Sequence, residues 1–269
     1  FFGVPFPVWY CKNCQEPILA EETDLPVDPL KDRPSKHCKC GSKEFLPEKD
    51  VLDTWFTSSM TPQLAIQSLP EKYHSKLYPM SLRPQASEII TFWLFNTVVK
   101  SQLHYHVNPW KDVAISGYVM DPHGEKMSKS KGNVIEPQAV VEKYGADAMR
   151  YWAGTSKLGE DISYKEQDLV IGKKTVTKLW NASKFCFSHL ADFQDEDVDL
   201  HELDKWLLHQ FNELVRLATE SFGIYDYARA KHETDNFFWS TFCDYYLEMC
   251  KDRLYNVQVR GEDAKKSAQ

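Results

Sequence analysis

Apolar residues recur at three- and four-residue spacing through most of the second half of the chain. The spacing predicts amphipathic helices over residues 170–191 and 204–222, and the same pattern continues from 227 to 255. Residues 136–152 are predicted to form another helix, because Pro137 lies where a first helical turn tolerates proline. The second half is therefore expected to be mostly helical.

Short apolar runs replace this periodicity in the first half. Runs over residues 51–56, 80–84 and 112–119 predict short strands, and residues 88–101 predict a helix that is buried on most sides. Because strands and helices alternate here, a parallel sheet is expected. Residues 11–47 are rich in Pro, Asp, Lys and Cys and lack apolar periodicity, which is typical of a small loop-built module that needs a cross-link.

Composition and charge exclude several classes of protein. The 269 residues are 42% hydrophobic and 13% aromatic, which supports globular, buried cores. No apolar run approaches the roughly 20 residues that cross a bilayer, and no secretory signal begins the chain, so a cytoplasmic protein without a membrane anchor is expected. The net charge of -7 argues against a protein that coats nucleic acid through a basic surface, although a local basic patch can still bind RNA. The abrupt apolar start at Phe1 favours a piece of a longer protein.

The strongest chemical signal lies in residues 121–133, which read Asp-Pro-His-Gly-Glu-Lys-Met-Ser-Lys-Ser-Lys-Gly-Asn between a predicted strand and a predicted helix. Lys126 and Lys129 can place two ammonium groups around a triphosphate, while Ser128 and backbone N–H groups complete the contacts. This arrangement suits attack of a carboxylate on the α-phosphate of ATP, where charge builds on the departing pyrophosphate. For two arbitrary lysines at this spacing, a solvated loop would be the better interpretation.

Four of the seven cysteines are crowded near the N-terminus, which favours a metal site over a disulfide framework. Cys11 and Cys14 form the first half of a zinc knuckle. In the second half, His37 and Cys40 meet the usual two-residue spacing, so they complete the preferred ligand set, with Cys38 as the substitute. The bound Zn²⁺ would be structural, because the protein would supply every ligand. Reduced cysteines without a metal are the alternative.

The string from Gly117 to Asn133 resembles the KMSKS signature of the class I aminoacyl-tRNA synthetases, whose loop closes over ATP during amino-acid activation. The resemblance implies that Lys126 and Lys129 are the catalytic cations and that Mg²⁺ accompanies ATP. It assigns ATP binding to five consecutive residues, Lys126, Met127, Ser128, Lys129 and Ser130. The His-x-Gly-His string of the other class signature does not occur in this sequence.

Two further strings resemble the amino-acid pocket of the family members that handle branched aliphatic amino acids. Residues 53–56, Asp-Thr-Trp-Phe, are most similar to the valine enzymes, and by that resemblance Asp53 and Trp55 contact the substrate. Residues 84–90 are similar to the family string Pro-Gln-Gly-x-Asp-Ile-Ile, which implies that Glu88 and Ile89 line the same pocket. Two positions depart from that string, since the chain has Ala86 for glycine and Glu88 for aspartate, and both changes can reduce activity. Isoleucine specificity remains the closest alternative.

The resemblance covers nearly the whole chain and implies an α/β fold, the second half of a Rossmann-like catalytic domain with a zinc knuckle, followed by an α-helical bundle. The predicted domains are the catalytic part over residues 1–191 and part of an anticodon-binding domain over residues 200–269. The acidic stretch 192–199 is the predicted linker. Within the catalytic part we expect the zinc knuckle over 11–47, the KMSKS loop over 121–133 and connecting helices over 136–191.

The implied function is an ATP-dependent ligase that joins valine to tRNA(Val) and acts as a monomer. This chain would hold only the KMSKS half of the site, so we expect no catalysis from it alone. Lys178, Lys251 and Arg253 are candidate contacts for tRNA phosphates, although charged residues on helices usually face solvent. A non-catalytic synthetase-like protein that binds RNA or a partner is the rival hypothesis, and the sequence upstream of Phe1 would separate the two.

Overall fold

The structure, a computed structural model, describes residues 3–194 and 198–269. The chain divides into two compact units, Phe1–Val113 and Ala114–Gln269. The acidic stretch 192–199 includes residues 195–197, so that part of the predicted linker lies outside the described residues. No helix in the described ranges is long and apolar enough to cross a bilayer.

The first unit begins with a small antiparallel sheet. Its central strand β2 (Val8–Cys11) pairs with β3 (Pro17–Leu19) on one side and with β4 (Phe45–Pro47) on the other. The buried Trp9 anchors the loop between β3 and β4, because its indole N–H donates to the carbonyl oxygens of Pro29 and Asp32 at 3.3 and 3.1 Å. Residues 11–47 thus form the loop-built module that their composition predicts.

Flanking this module, β1 (Val4–Pro5) pairs antiparallel with β5 (Val51–Leu52). The strand predicted over residues 51–56 therefore ends after two residues. The reason is that the Asp53 carboxylate accepts a hydrogen bond from the Trp55 N–H at 2.7 Å and starts a helix there. Three short helices follow, α1 (Thr54–Ser58), α2 (Thr61–Gln67) and α3 (His74–Leu77), the last preceded by a 3₁₀ turn over Glu71–Tyr73.

A second sheet in this region pairs β6 (Met80–Ala86) with β7 (Trp110–Ser116). The connection is helical throughout and consists of a 3₁₀ turn (Ser87–Ile89), a π-helical segment (Ile90–Leu94) and α4 (Phe95–Tyr105). Strand β6 and the helix after it agree with the sequence-based predictions. In the part of the chain that the structure describes, each sheet has only two or three strands, so the expected parallel sheet is smaller than predicted.

The prediction that this helical connection is buried on most sides is wrong. Its buried positions past Trp93 are polar and follow a single helix face, with Thr97, Lys100 and Ser101 inward. The large apolar side chains point outward instead, as Phe92 and Leu103 illustrate. The number of apolar residues in this segment therefore does not predict which face of the helix is buried.

The second unit begins with β8 (Val119–Met120), which pairs parallel with β9 (Ile162–Ser163). Gly117, just before β8, allows the two segments to approach closely, because a Cβ there would lie 2.0 Å from the carbonyl oxygen of Glu160. The helix predicted over 136–152 is instead two helices, α5 (Pro137–Tyr144) and α6 (Ala146–Ala153). They are separated at Gly145, whose φ of 93° is accessible to glycine and breaks a helix.

The remaining helices agree with the predicted periodicity. Buried residues Val140, Trp152, Tyr164 and Leu169 form the core between α5, α6 and the start of α7. The helices after β9 are α7 (Glu166–His189), α8 (Glu202–Gly223), α9 (Tyr227–Asn236), a π-helical segment (Phe237–Tyr246), α10 (Leu247–Tyr255), α11 (Val257–Arg260) and α12 (Glu262–Ala268).

A buried ion pair ties α8 to α10. The Asp204 carboxylate accepts from both terminal nitrogens of Arg253 at 2.6 Å and from the Tyr246 hydroxyl at 2.8 Å. Burial by itself would raise the pKa of Asp204, but these donors hold it below its ordinary value. Arg253 therefore lies in the protein interior, and its guanidinium group, paired with Asp204, is a poor candidate for contact with a tRNA phosphate.

Candidate functional site

The loop over residues 121–133 is built around the carboxylate of Asp121, which is only 5% exposed. It accepts hydrogen bonds from the backbone N–H groups of His123 and Glu125, at 2.9 and 2.8 Å, and from the Asn133 side-chain amide at 2.9 Å. The Asn133 amide, followed by these N–H groups, holds the pKa of Asp121 below its ordinary range. One ionised side chain therefore joins the beginning of the loop to its end.

The Asn133 side chain also binds the centre of the loop. We call the side chains of Asp121 and Asn133, with their hydrogen bonds, the frame of the loop. Its side-chain oxygen accepts from the backbone N–H of Ser128 at 2.9 Å. Asp121 and Asn133 are the positions that sequence reasoning missed, because polar residues in a loop are usually solvated. The signal was present, since an aspartate before a Pro-x-Gly turn commonly accepts from backbone N–H groups two residues on.

Within this frame, Met127 points to the protein interior and the lysines do not. Met127 packs against the core of Val140, Trp152, Tyr164 and Leu169. Lys129 is exposed, and the Lys126 ammonium lies 3.9 Å from the centroid of the Tyr118 ring. Such a cation–π contact at an exposed site contributes only about 0.5–1 kcal/mol.

The serines of the loop complete its outer surface. The hydroxyl groups of Ser128 and Ser130 lie 3.2 Å apart, and the Ser128 hydroxyl accepts from the Lys131 N–H at 3.3 Å. The Lys131 side chain pairs with Glu125 at 3.0 Å. The loop thus offers hydroxyl groups beside Lys126 and Lys129, which is a donor set suited to phosphate oxygens.

The first unit contains the residues predicted to bind the amino acid. Helix α1 carries Trp55, which is 45% exposed, and packs against the π-helical segment Ile90–Leu94 directly after Glu88 and Ile89. The Trp93 indole N–H donates to the Ser58 carbonyl oxygen at 3.2 Å and joins the two segments. The structure therefore brings the two predicted pocket strings together.

The other three residues predicted to bind the amino acid, Asp53, Glu88 and Ile89, differ in their contacts and exposure. Asp53 uses one carboxylate oxygen to cap α1, and Glu88 is exposed while Ile89 is half-buried. The roles of Asp53, Trp55, Glu88 and Ile89 in substrate binding stay predictions.

The four N-terminal cysteines converge in the knuckle module. The sulfur atoms of Cys11, Cys14, Cys38 and Cys40 all lie within 4.8 Å of one another. The Sγ atoms of Cys14 and Cys38 are 3.3 Å apart, and those of Cys11 and Cys40 are 3.6 Å apart. His37 is not in this group, so the geometry corrects the preferred ligand set in favour of the substitute Cys38. The physical reason is that Cys38 is turned into the core beside Trp9.

The donor set fits zinc. Four thiolates around Zn²⁺ at about 2.3 Å would place the sulfur atoms about 3.8 Å apart, close to the separations found here. The backbone N–H of Cys14 is the main cause that lowers the pKa of Cys11 to about 6, against the opposing effect of burial. Because all four cysteines are free thiols in this geometry, the group can act as a closed, structural metal site.

A basic groove of about 680 Å³ lies along α7 in the second unit. Lys173, Lys174 and Lys178 line it together with the aromatic rings of Tyr144 and Trp239. The Lys178 ammonium is 3.7 Å from the Asp244 carboxylate, a partly exposed pair that is easily exchanged. Basic side chains beside aromatic rings are typical of surfaces that bind the backbone and bases of RNA.

Two family models match this chain. One, described as tRNA synthetases class I (I, L, M and V), matches residues 1–165. The other, described as the anticodon-binding domain of tRNA ligase, matches residues 204–269. Together they cover the KMSKS loop, the cysteine module and the C-terminal helices.

Curated relatives with high identity are valine–tRNA ligases. The enzyme of Picrophilus torridus is 47% identical over 256 residues, which cover 94% of this chain and 33% of that protein. The enzyme of Rickettsia rickettsii is 44% identical over 287 residues, covering 100% of this chain and 35% of that protein. The chain thus spans about a third of the length of these relatives.

Solved structures share the fold at low sequence identity. A leucyl-tRNA synthetase of Agrobacterium radiobacter K84, in a ternary complex with tRNA and LeuAMS, aligns with a TM-score of 0.71 at 20% identity over 100% of this chain and 37% of that one. The Mycobacterium tuberculosis methionyl-tRNA synthetase in complex with methionyl-adenylate gives 0.60 at 19% identity, over 79% and 44% of the respective chains. Since the catalytic family model alone matches more than half of its residues, the chain belongs to the class I tRNA synthetases.

Proposed function

We propose that the chain is the KMSKS-bearing part of a valine–tRNA ligase, which activates valine with ATP and transfers it to tRNA(Val). The observation that carries the proposal is the frame of Asp121 and Asn133, which presents Lys126 and Lys129 outward on a loop anchored by Met127. A loop fixed at its base with exposed cations at its edge suits a triphosphate that must be held and then released.

The proposed chemistry needs no nucleophile from the protein. The carboxylate of the amino acid attacks the α-phosphate of ATP, the bond to pyrophosphate breaks, and an aminoacyl-adenylate results. Lys126 and Lys129 then stabilise the charge that develops on the pyrophosphate, with Ser128 and Ser130 donating to its oxygens. Mg²⁺ would enter with ATP and share this neutralisation.

Valine is the proposed amino acid because the string around Trp55 resembles the valine enzymes and the curated relatives are valine–tRNA ligases. A pocket wall of this kind discriminates by size. One methylene group changes the binding free energy by only about 1–3 kcal/mol, so isoleucine is the nearest competitor.

The remaining regions have supporting roles in this proposal. Zn²⁺ held by Cys11, Cys14, Cys38 and Cys40 would stabilise the knuckle without entering the reaction. The groove lined by Lys173 and Lys174 is the proposed contact for tRNA phosphates. The C-terminal helices would contribute to recognition of the anticodon arm, as the matching family description suggests.

Valine-dependent exchange of pyrophosphate into ATP by the full-length protein tests the proposal. We expect exchange with valine, and a loss of roughly a hundredfold or more in Lys126→Ala and Lys129→Ala, because each removes a cation that acts on developing charge. Lys205→Ala is the matched control, since Lys205 is an exposed lysine on α8 paired with Glu202.

Three outcomes would contradict parts of this proposal. Unchanged exchange in both loop variants would remove the phosphate role of the loop, and exchange with isoleucine in preference to valine would overturn the specificity. Absence of exchange with every amino acid would favour the second candidate, a non-catalytic RNA-binding relative. The departures at Ala86 and Glu88 are the observation that favours this second candidate.

A further inference from the structure

Helix α4 buries a lysine. Lys100 is 8% exposed, and its ammonium is in no ion pair among the residues that the structure describes. It donates to the carbonyl oxygen of Phe56 and lies 3.1 Å from the centroid of the Phe56 ring. A charge removed from water in this way is costly, so its hydrogen bond to α1 is a strong and specific constraint.

The constraint acts on a helix that cannot hold its own position. Helix α1 has five residues, and helices this short are marginal without outside contacts. Its last carbonyl groups receive side-chain donors from the protein interior. The Phe56 oxygen accepts from the Ser59 hydroxyl at 2.5 Å as well as from Lys100, and the Ser58 oxygen accepts from Trp93.

Trp55 is the second residue of this helix, and about half of its surface is exposed. The backbone N–H of Trp55 donates to the Asp53 carboxylate, and the carbonyl group of the next residue, Phe56, accepts from Lys100. Hydrogen bonds therefore fix the backbone on both sides of Trp55. The half-exposed Trp55 ring has few packing contacts to hold it. Its position therefore depends on the position of the α1 backbone. A shift of that backbone would move the ring directly.

We propose that Lys100 is a positioning residue for amino-acid binding, which sets the position of Trp55 by holding the Phe56 carbonyl group of α1. The inference rests on the proposed function, in which Trp55 contacts valine. Lys100 does not touch the substrate, because its ammonium is buried against Phe56. Its effect is expected in the affinity for the amino acid and in the preference for valine over isoleucine, and not in the chemical step.

The test measures KM and kcat of pyrophosphate exchange for valine and for isoleucine in the full-length protein. In Lys100→Met, which keeps the length and loses the donor, we expect KM for valine to rise roughly tenfold while kcat changes by less than about twofold. The ratio of kcat/KM for valine over isoleucine should fall in parallel. Lys100→Arg keeps the charge and a donor, so it should restore most of the affinity.

Lys76→Met on α3 is the matched control, because Lys76 is exposed in the same unit and has no assigned role. The proposal is overturned if Lys100→Met keeps the wild-type KM for valine. It is equally overturned if kcat falls with KM unchanged, or if Lys100→Arg is as impaired as Lys100→Met.

If Lys100→Met does not fold, Ser59→Ala provides a second test of the proposal. Ser59 donates to the same carbonyl oxygen, so its loss should raise KM for valine in the same direction by a smaller factor. An unchanged KM in that variant would overturn the proposal. Wild-type exchange with valine and its loss in Lys126→Ala are measured alongside, so a failure of the proposed function is distinguished from a failure of the Lys100 inference.

Discussion

The cysteine module (residues 11–47) and the KMSKS loop (residues 121–133) are both polar segments, but they differ in whether their candidate functional groups face inward or outward. In the module, four sulfur atoms face one another and two of the cysteines, Cys11 and Cys38, are buried. In the loop, Lys126 and Lys129 stay outside while Asp121 and Asn133 hold the backbone from within. The candidate metal site therefore turns its four sulfur atoms toward one another and buries two of the cysteines, whereas the candidate phosphate loop buries only the residues that hold its backbone.

The largest effect that tests this comparison is expected in the module. We predict that Cys38→Ser lowers bound zinc in the purified protein from about one equivalent to none, because three thiolates and a hydroxyl no longer make a stable structural site. Metal analysis of the protein measures the stoichiometry. Limited proteolysis between β3 and β4 should accelerate at the same time, since the loop loses its cross-link.

His37→Ala is the matched control for this prediction, because it removes the neighbouring residue outside the sulfur group. It should retain zinc and resist proteolysis like the wild type. The opposite pattern, with zinc lost in His37→Ala and kept in Cys38→Ser, would restore the ligand set that spacing alone favours. No zinc in the wild-type protein would leave the module as a cluster of free thiols.

An intermediate effect is expected from the frame of the loop. In Asp121→Asn, the new side chain has one acceptor oxygen where the carboxylate receives three hydrogen bonds, so the loop loses part of its fixed geometry. We expect valine-dependent exchange to slow about tenfold, with the KM for valine unchanged, because only the phosphate contacts are displaced.

Glu142→Gln serves as the control for the frame, since this exposed carboxylate on α5 accepts a hydrogen bond from Gln138 and lies outside the loop. It should exchange at the wild-type rate. If Asp121→Asn also kept the wild-type rate, the buried frame would be dispensable, and the contrast between the module and the loop would lose its functional meaning.

Periodicity predicted the long helices well, because α7 and α8 each place buried and half-buried residues along one face. It failed at Gly145, where a single positive φ divides a pattern that is otherwise continuous. It also failed for α4, since apolar spacing cannot tell that Thr97, Lys100 and Ser101 form the buried face. Which face of a helix is buried depends on tertiary packing, and the local sequence does not contain this information.

The candidate sites divide in the same way. The residue types of the loop and the knuckle could be identified from motifs, because triphosphates and zinc demand particular donors. The choice between His37 and Cys38 could not, since it depends on which side chain the preceding loop turns toward Trp9. The roles of Asp121 and Asn133 were missed because their partners are backbone groups, which leave no pattern in side-chain chemistry.

The smallest effect concerns the pH at which the frame of the loop is lost. The pKa of Asp121 lies below its ordinary value of 3.8, mainly because of the Asn133 amide and the Glu125 N–H. A carboxyl group with a depressed pKa contributes its full stability above the unfolded value and loses it as the pH falls through the folded one. The frame should therefore be unaffected at neutral pH and fail only in acid.

Amide resonances of His123 and Glu125 report this titration directly, because both N–H groups donate to the Asp121 carboxylate. From about pH 7 to about pH 2, we expect a shared inflection with a midpoint below 3.8 in the wild type and none in Asp121→Asn. A midpoint at or above that value would mean that these donors do not stabilise the ionised carboxylate. The loop would then be an ordinary solvated turn, and only the cysteine module would have a buried polar design.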